Sequence, residues 1–250
     1  MRSGPHIGLL YPTRDCGEDD FLALAAKLDP GLVVDFAYVP WGEKIDRLED
    51  LDPAGKHEAV RELGEPDRLA SAAARFGERP DVVSWACSSC SFTRGLEGAR
   101  EQARVLGDRL GVPASSTSLA FLGALAHLDV GRIALASVYH RDTTASFAGF
   151  LAEAGVTTVH SVSADAPSDR ALAAWDRDRI TELATAADHA DAEALLIPET
   201  ALHTTPLLED LETALGKPVL TATAVTLWDA SRALGTPPTQ PHLGELFATR

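Results

Sequence analysis

The stretch Val82-Val83-Ser84-Trp85-Ala86-Cys87-Ser88-Ser89-Cys90-Ser91 decides how the rest of the chain is read. A short apolar run of this kind reads as a buried strand. It stops abruptly in small hydroxyl and thiol residues, and a helical segment follows from about Thr93. In an open parallel α/β sheet, ligands bind outside the carboxyl ends of the strands. Cys87, Ser88 and Ser89 therefore stand where such a sheet does its chemistry, with several backbone N–H groups beside them. The plainer alternative makes Cys87 and Cys90 small buried fillers, because free cysteine is among the most buried residue types. For Cys90 the filler reading is the better one.

Outward from this strand, strand and helix signals alternate along the chain, the pattern of a parallel sheet with crossover helices. Strands are predicted over 7–11, 32–39, 82–86 and 112–115, and again over 132–137, 157–163, 194–197 and 218–223. Helices are predicted over 18–28, 57–76, 93–110, 118–128, 143–154, 169–190, 206–215 and 224–234. Thr205 before Pro206 offers a hydroxyl at the N-cap and a proline at the first helical position. Gly216 suits the close of the same helix. Residues 41–64 are polar and turn-rich, long for a connection, and read either as a lid or as a solvated insertion.

The two halves follow one plan. In each, the third strand ends in polar residues, Cys87-Ser88-Ser89 in the first and Pro198-Glu199-Thr200 in the second. A helix then leads to Gly111-Val112-Pro113 or Gly216-Lys217-Pro218, a short strand and a hydroxyl-rich turn. A duplicated unit with facing strand ends makes a cleft between two lobes. On this reading residues 1–117 with 224–250 form one lobe and 118–223 the other, and Cys87 and Glu199 are counterparts across the cleft.

Composition narrows the partners. With 45% hydrophobic and 24% charged residues the chain reads as an ordinary globular protein. Its 22 basic against 37 acidic residues argue against nucleic acid, which needs a basic surface. No apolar run approaches the length needed to cross a bilayer. The N-terminus has no signal-like apolar region, so a cytoplasmic location is expected. Three cysteines are too few for a disulfide framework, and no second Cys/His cluster at ligand spacing suggests a metal. The Cys87-x-x-Cys90 spacing permits a redox pair, but not in the context a thioredoxin-like site requires.

Ala86-Cys87-Ser88-Ser89-Cys90-Ser91-Phe92 resembles the Cys-Thr-Ser-x-Ser-Phe signature of maleate cis–trans isomerases. The surrounding segment, through Phe92-Thr93-Arg94-Gly95, also resembles arylmalonate decarboxylases, which carry glycine where Cys87 stands. Further similarity runs through Ile7-Gly8-Leu9-Leu10-Tyr11-Pro12-Thr13, Leu135-Ala136-Ser137-Val138-Tyr139 and Gly216-Lys217-Pro218-Val219. The chain is thus similar to the aspartate/glutamate racemase superfamily, in the branch that holds these isomerases and decarboxylases. The resemblance implies two pseudo-symmetric lobes, each a four-stranded parallel sheet flanked by helices, with the active site between them. It implies cofactor-independent chemistry on a small carboxylate substrate, and a homo-oligomer. Carried over, Cys87 matches the first catalytic cysteine, and Ser88 and Ser89 match donors to a substrate carboxylate. Tyr139 matches a tyrosine that donates its phenol to the same group, and Pro12, Thr13 and Asp15 lie on a pocket-lining loop.

One departure matters. The second cysteine of the family is absent, and Glu199 stands in its place, followed by Thr200, whose backbone N–H is a further donor. A glutamate with a raised pKa is a competent acid or base. Cis–trans isomerisation, which needs one nucleophile and an acid, fits this pair first. Decarboxylation of a substituted malonate comes second and amino-acid racemisation third. A small-acid-binding protein with a degenerate site is the non-enzyme alternative.

Overall fold

The computed structural model describes residues 4–41, 51–235 and 238–248. It has two four-stranded, all-parallel sheets with matching strand orders. The first holds β1 (His6–Tyr11), β2 (Val33–Tyr38), β3 (Val82–Trp85) and β4 (Ala114–Ser116) in the order β2-β1-β3-β4. The second holds β5 (Arg132–Ser137), β6 (Thr157–Ser163), β7 (Ala194–Ile197) and β8 (Val219–Thr221) in the order β6-β5-β7-β8. The central strands β1, β3 and β7 are buried throughout, and β5 all but its first residue, as their nearly unbroken apolar runs require. The edge strands β2 and β6 are only partly buried, and β6, Thr-Thr-Val-His-Ser-Val-Ser, is correspondingly polar.

Among the described residues the helices are α1 (Glu18–Leu28), α2 (Pro53–Leu63), α3 (Pro66–Ala73), α4 (Ser89–Phe92), α5 (Gly95–Leu110) and α6 (Thr117–His127) in the first half. They continue as α7 (Arg141–Glu153), α8 (Asp169–Ala173), α9 (Arg177–Ala187), α10 (Leu208–Leu215), α11 (Ala222–Ala233) and α12 (Glu245–Ala248). None is long and apolar enough to cross a membrane.

The repeated plan extends to the caps. Gly111 and Gly216 close α5 and α10 in the left-handed conformation, with φ of 63° and 66°. Three-residue strands follow, and their last residues cap the next helices. The Ser116 hydroxyl accepts from the Leu119 N–H, and the Thr221 hydroxyl from the Ala224 N–H, both at 3.4 Å. The capped helices, α6 and α11, pack against each other, and the Thr117 and Thr226 hydroxyls meet 2.7 Å apart.

Several expected helices are divided. The predicted helix over 57–76 starts earlier, at Pro53, and breaks at Gly64-Glu65-Pro66, because proline restricts the residue before it and opens α3 at its first position. The helix expected from Thr93 begins at Ser89 and is interrupted before Gly95, which has a φ of 70°. The helix over 169–190 splits at Asp176, whose carboxylate accepts from the Arg179 N–H and starts α9. Thr205 is not an N-cap: a 3-10 turn runs over Thr205–Leu207. The cap comes instead from the other lobe. Asp20 of α1 accepts from the N–H groups of Thr204 and Thr205 at 3.2 and 2.9 Å. Of the segment 41–64 weighed as a lid, residues 42–50 lie outside the described residues, and Pro53–Leu63 forms α2.

Candidate active site

In each sheet the chain runs outward from the first strand to the edge, then back across it to the third. The strand order therefore reverses between β1 and β3, and between β5 and β7, which is where an open sheet forms its crevice. Cys87 lies two residues beyond β3, and Glu199 two residues beyond β7. Their backbones turn alike. The Cys87 N–H donates to the Trp85 carbonyl at 2.9 Å, and the Glu199 N–H to the Ile197 carbonyl at 3.0 Å. Both side chains are 6% exposed.

On the first turn, the Cys90 N–H donates to Cys87 Sγ at 3.4 Å, and the Ser89 hydroxyl lies 3.7 Å from it. Cys90 itself is fully buried and packs with Leu63, Trp85 and Leu106, the filler role expected of it. Burial first, then the neighbouring Cys87, pushes its thiol pKa well up. The Gln102 amide fixes this turn from below. It donates to the carbonyls of Gly64 and Cys90 at 2.6 and 3.2 Å and accepts from the Ser91 hydroxyl at 2.6 Å. The Ser88 carbonyl accepts from Ser118 at 2.7 Å. The Ser88 hydroxyl, however, is buried and has no hydrogen-bond partner among the described residues. Such a group normally finds one.

On the second turn, Glu199 Oε1 accepts from the Ala201 N–H at 2.8 Å. Tyr139 donates its phenol hydrogen to the Pro198 carbonyl and also lies within hydrogen-bonding reach of the Glu199 carboxyl. Burial, then the charge of Asp169, pushes the Glu199 pKa up from 4.5 to about 8, against the hydrogen bonds that favour its ionised form. Burial, Glu199 and Cys87, in that order, raise the Tyr139 phenol pKa well above its ordinary value. Cys87 and Glu199 thus both act electrostatically on Tyr139.

The lobes are joined beside this group. Tyr11 at the end of β1 donates to the Thr200 carbonyl at 2.9 Å, and the Thr200 hydroxyl donates to the Ala86 carbonyl at 3.4 Å. Thr13 donates to Asp169 Oδ2 at 2.6 Å, and the Trp41 indole N–H reaches Thr13 Oγ1 at 3.4 Å. A Cβ on Gly17 would stand 2.1 Å from the Thr200 carbonyl oxygen, so only glycine lets the loop after β1 approach this closely.

The structure therefore brings Cys87, Ser88, Ser89, Tyr139, Glu199, Thr200 and Thr13 to the facing strand ends. Pro12 is buried beside them on the same loop. Asp15 is not part of the group: it is exposed, with a φ of 61°, and its N–H donates to Glu18 at 2.8 Å. Sequence reasoning missed Tyr11 and Asp169. Tyr11 ends a strand whose partner β3 was already placed at the site, so its position was readable. Asp169 sits at the start of a surface helix, and nothing local marks it out.

A profile of the family described as arylmalonate decarboxylase matches residues 48–247. Arylmalonate decarboxylase from Bordetella bronchiseptica is 31% identical over 169 residues, 66% of this chain and 70% of that protein. Among solved structures, a double mutant of arylmalonate decarboxylase in its liganded form superposes with a TM-score of 0.80 at 27% identity, over 98% of this chain and 99% of that one. A Nocardia farcinica maleate cis–trans isomerase mutant, with a covalently bound succinylcysteine intermediate, shares the fold at a TM-score of 0.80 and 21% identity, over 97% of this chain and 98% of that one. These proteins share the fold of this chain, and the profile match over most of its length shows that the chain belongs to the arylmalonate decarboxylase family.

Proposed function

We propose that the protein is a cofactor-independent isomerase of a small unsaturated dicarboxylate, with Cys87 as nucleophile and Glu199 as acid and base. The observation that carries this reading is the pairing of the two residues at equivalent turns, with Tyr139 in electrostatic reach of both. The Cys87 thiolate adds to one carbon of the conjugated C=C bond, and the electron pair moves into the adjoining carboxylate. Donors aimed at that developing charge lower its cost, each being worth about 2.7–4 kcal/mol in comparable sites. Ser88, with its unpartnered buried hydroxyl, Ser89 and Tyr139 are the donors on hand. Glu199 delivers its proton to the neighbouring carbon, leaving a thioether joined through a C–C single bond. Rotation about that bond, return of the proton to Glu199 and departure of the thiolate yield the trans isomer.

A second reading is favoured by the 31% identity to a decarboxylase. A substituted malonate would lose CO₂ between the same donors, and the resulting enediolate would take its proton from Glu199 or Cys87. Proton NMR in deuterated buffer with maleate and phenylmalonate separates the two. Maleate converting to fumarate supports the isomerase, loss of CO₂ from phenylmalonate supports the decarboxylase, and Cys87→Ala abolishes isomerisation. A chain that turns over neither, and whose Cys87 iodoacetamide labels no faster than Cys16 or Cys90, overturns both.

A further inference from the structure

Tyr11 is 1% exposed at the end of β1, and no step above uses its phenol. Its ring stands edge-on to Phe21 and Phe36, with centroids 6.0 and 5.7 Å away and planes at 82° and 73°, so packing fixes the direction of the hydroxyl. That hydroxyl donates to the Thr200 carbonyl at 2.9 Å, 189 residues further along the chain. Burial, then Glu199, holds the phenol pKa far above its ordinary value, so the donated hydrogen stays in place. The Thr200 carbonyl and the Ala201 N–H are two ends of one planar peptide group. Its oxygen accepts from Tyr11, while its N–H donates to Glu199 Oε1 at 2.8 Å. One hydrogen-bonded path therefore runs from the Tyr11 hydroxyl to the Glu199 carboxyl. A donor at the near end of such a path polarises the peptide and strengthens the bond at its far end. The other phenol beside Glu199 has no such route through the backbone. Tyr139 donates to the Pro198 carbonyl, and the N–H of that peptide, which is Glu199's own, is spent on the Ile197 carbonyl. The first lobe also grips the peptide from other sides. Gly17 admits the Thr200 carbonyl at close range, the Thr200 hydroxyl donates to Ala86, and Asp20 accepts from Thr204 and Thr205.

We propose that Tyr11 is a positioning residue for Glu199: through the Thr200–Ala201 peptide it aims and strengthens the N–H that holds the carboxyl, so the first lobe sets the orientation and acidity of the acid carried by the second. The inference rests on the reading of Glu199 as acid and base given above. The other titratable and charged groups around this path are Tyr139 after β5, Asp169 and Arg170 of α8, Glu18 of α1, and the Cys16 and Cys87 thiols. All of them remain in place when only the Tyr11 hydroxyl is removed.

Infrared titration of the whole chain, without substrate, tests the assignment. The protonated-carboxyl C=O band that Glu199→Gln removes gives the pH at which Glu199 ionises. Tyr11→Phe keeps the ring between Phe21 and Phe36 and deletes the donor. The Ala201 N–H then favours the ionised carboxylate less, and the pH of ionisation moves up by about half a unit or more. In nuclear magnetic resonance titrations the Ala201 amide proton responds less to that ionisation in Tyr11→Phe than in the wild type. Wherever turnover is measurable, the alkaline limb of kcat moves up by the same interval while KM at lower pH is unchanged, a split that loosened packing alone does not produce. Ionisation of Glu199 at the same pH with and without the Tyr11 hydroxyl overturns the proposal. A second arm keeps the test decisive if Tyr11→Phe fails to fold. Tyr38→Phe with Tyr139→Phe leaves Tyr11 as the one tyrosine of the chain. Incorporated there, 3-fluorotyrosine is a stronger donor of nearly the same shape and moves the ionisation of Glu199 down. Equal ionisation with and without the fluorine overturns the proposal as well. Glu199 ionising in the ordinary carboxylate range strikes instead at its part as proton donor, whereas the Tyr11 assignment is decided by the differences between variants.

Discussion

The turns after β3 and β7 share a backbone and differ in chemistry. Each bends through an N–H to the carbonyl two residues back, and Cys87 and Glu199 have the same 6% exposure. The first then enters α4, and a helical N–H points at a sulfur. The second remains an open turn, and its N–H groups point at a carboxyl whose pKa is pushed up by burial and then by the charge of Asp169. The doubled plan supplies two equivalent positions, and under the proposed function the first holds the nucleophile and the second the proton.

The comparison breaks most sharply at the sulfur. Cys87→Ala should lower kcat by roughly 10⁴-fold or more, the scale seen when a nucleophile is removed. Comparable turnover in steady-state assays would mean the two turns do not divide the work. Glu199→Gln keeps the acceptor for Ala201 but cannot shuttle a proton, and should cost about 10²–10⁴-fold in kcat. Glu199→Cys makes the two turns chemically alike, and should recover part of that loss with a changed pH profile. Tyr139→Phe removes the phenol that donates to the Pro198 carbonyl, and should cost about 10²-fold in kcat. Gly17→Ala presses a methyl group onto the Thr200 carbonyl, and should destabilise the chain by about 1–3 kcal/mol in urea unfolding.

The smallest effect is on stability against pH. The Glu199 pKa is raised on folding, so the unfolded chain releases this proton from about pH 4.5 while the folded chain keeps it to about 8. Stability from this residue is fully present below pH 4.5 and is lost as pH rises through 8. Asp20 and Glu212, also raised by burial, act in the same direction. The test is therefore a difference: the fall in Tm across this interval should be shallower in Glu199→Gln than in the wild type. Equal slopes would mean that Glu199 is not held protonated.

Much of this was legible in the sequence because it is local. Apolar runs of strand length, the helix-closing glycine at 216 and the two hydroxyl-rich turns after the short strands are properties of a few consecutive residues, and the structure adds the matching close at Gly111 and the caps at Ser116 and Thr221. The places of Cys87 and Glu199, each two residues beyond a strand, were legible for the same reason. Boundaries went wrong where distant groups decide them. Thr205 lost its expected capping role because Asp20, far away in the chain, supplies the acceptor.

The amino-acid order by itself determined the alternation of strands and helices, the doubled plan and the places of Cys87 and Glu199 at equivalent turns, since hydrophobic period and turn chemistry act over short range. Only the tertiary structure decided that the Glu199 carboxyl is buried, that Thr13 donates to Asp169, 156 residues away in the chain, and that Asp15 is exposed with its N–H on Glu18. Protonation in a buried cleft depends on charges and donors that meet only when the lobes close on each other, and no stretch of the chain encodes such a meeting alone.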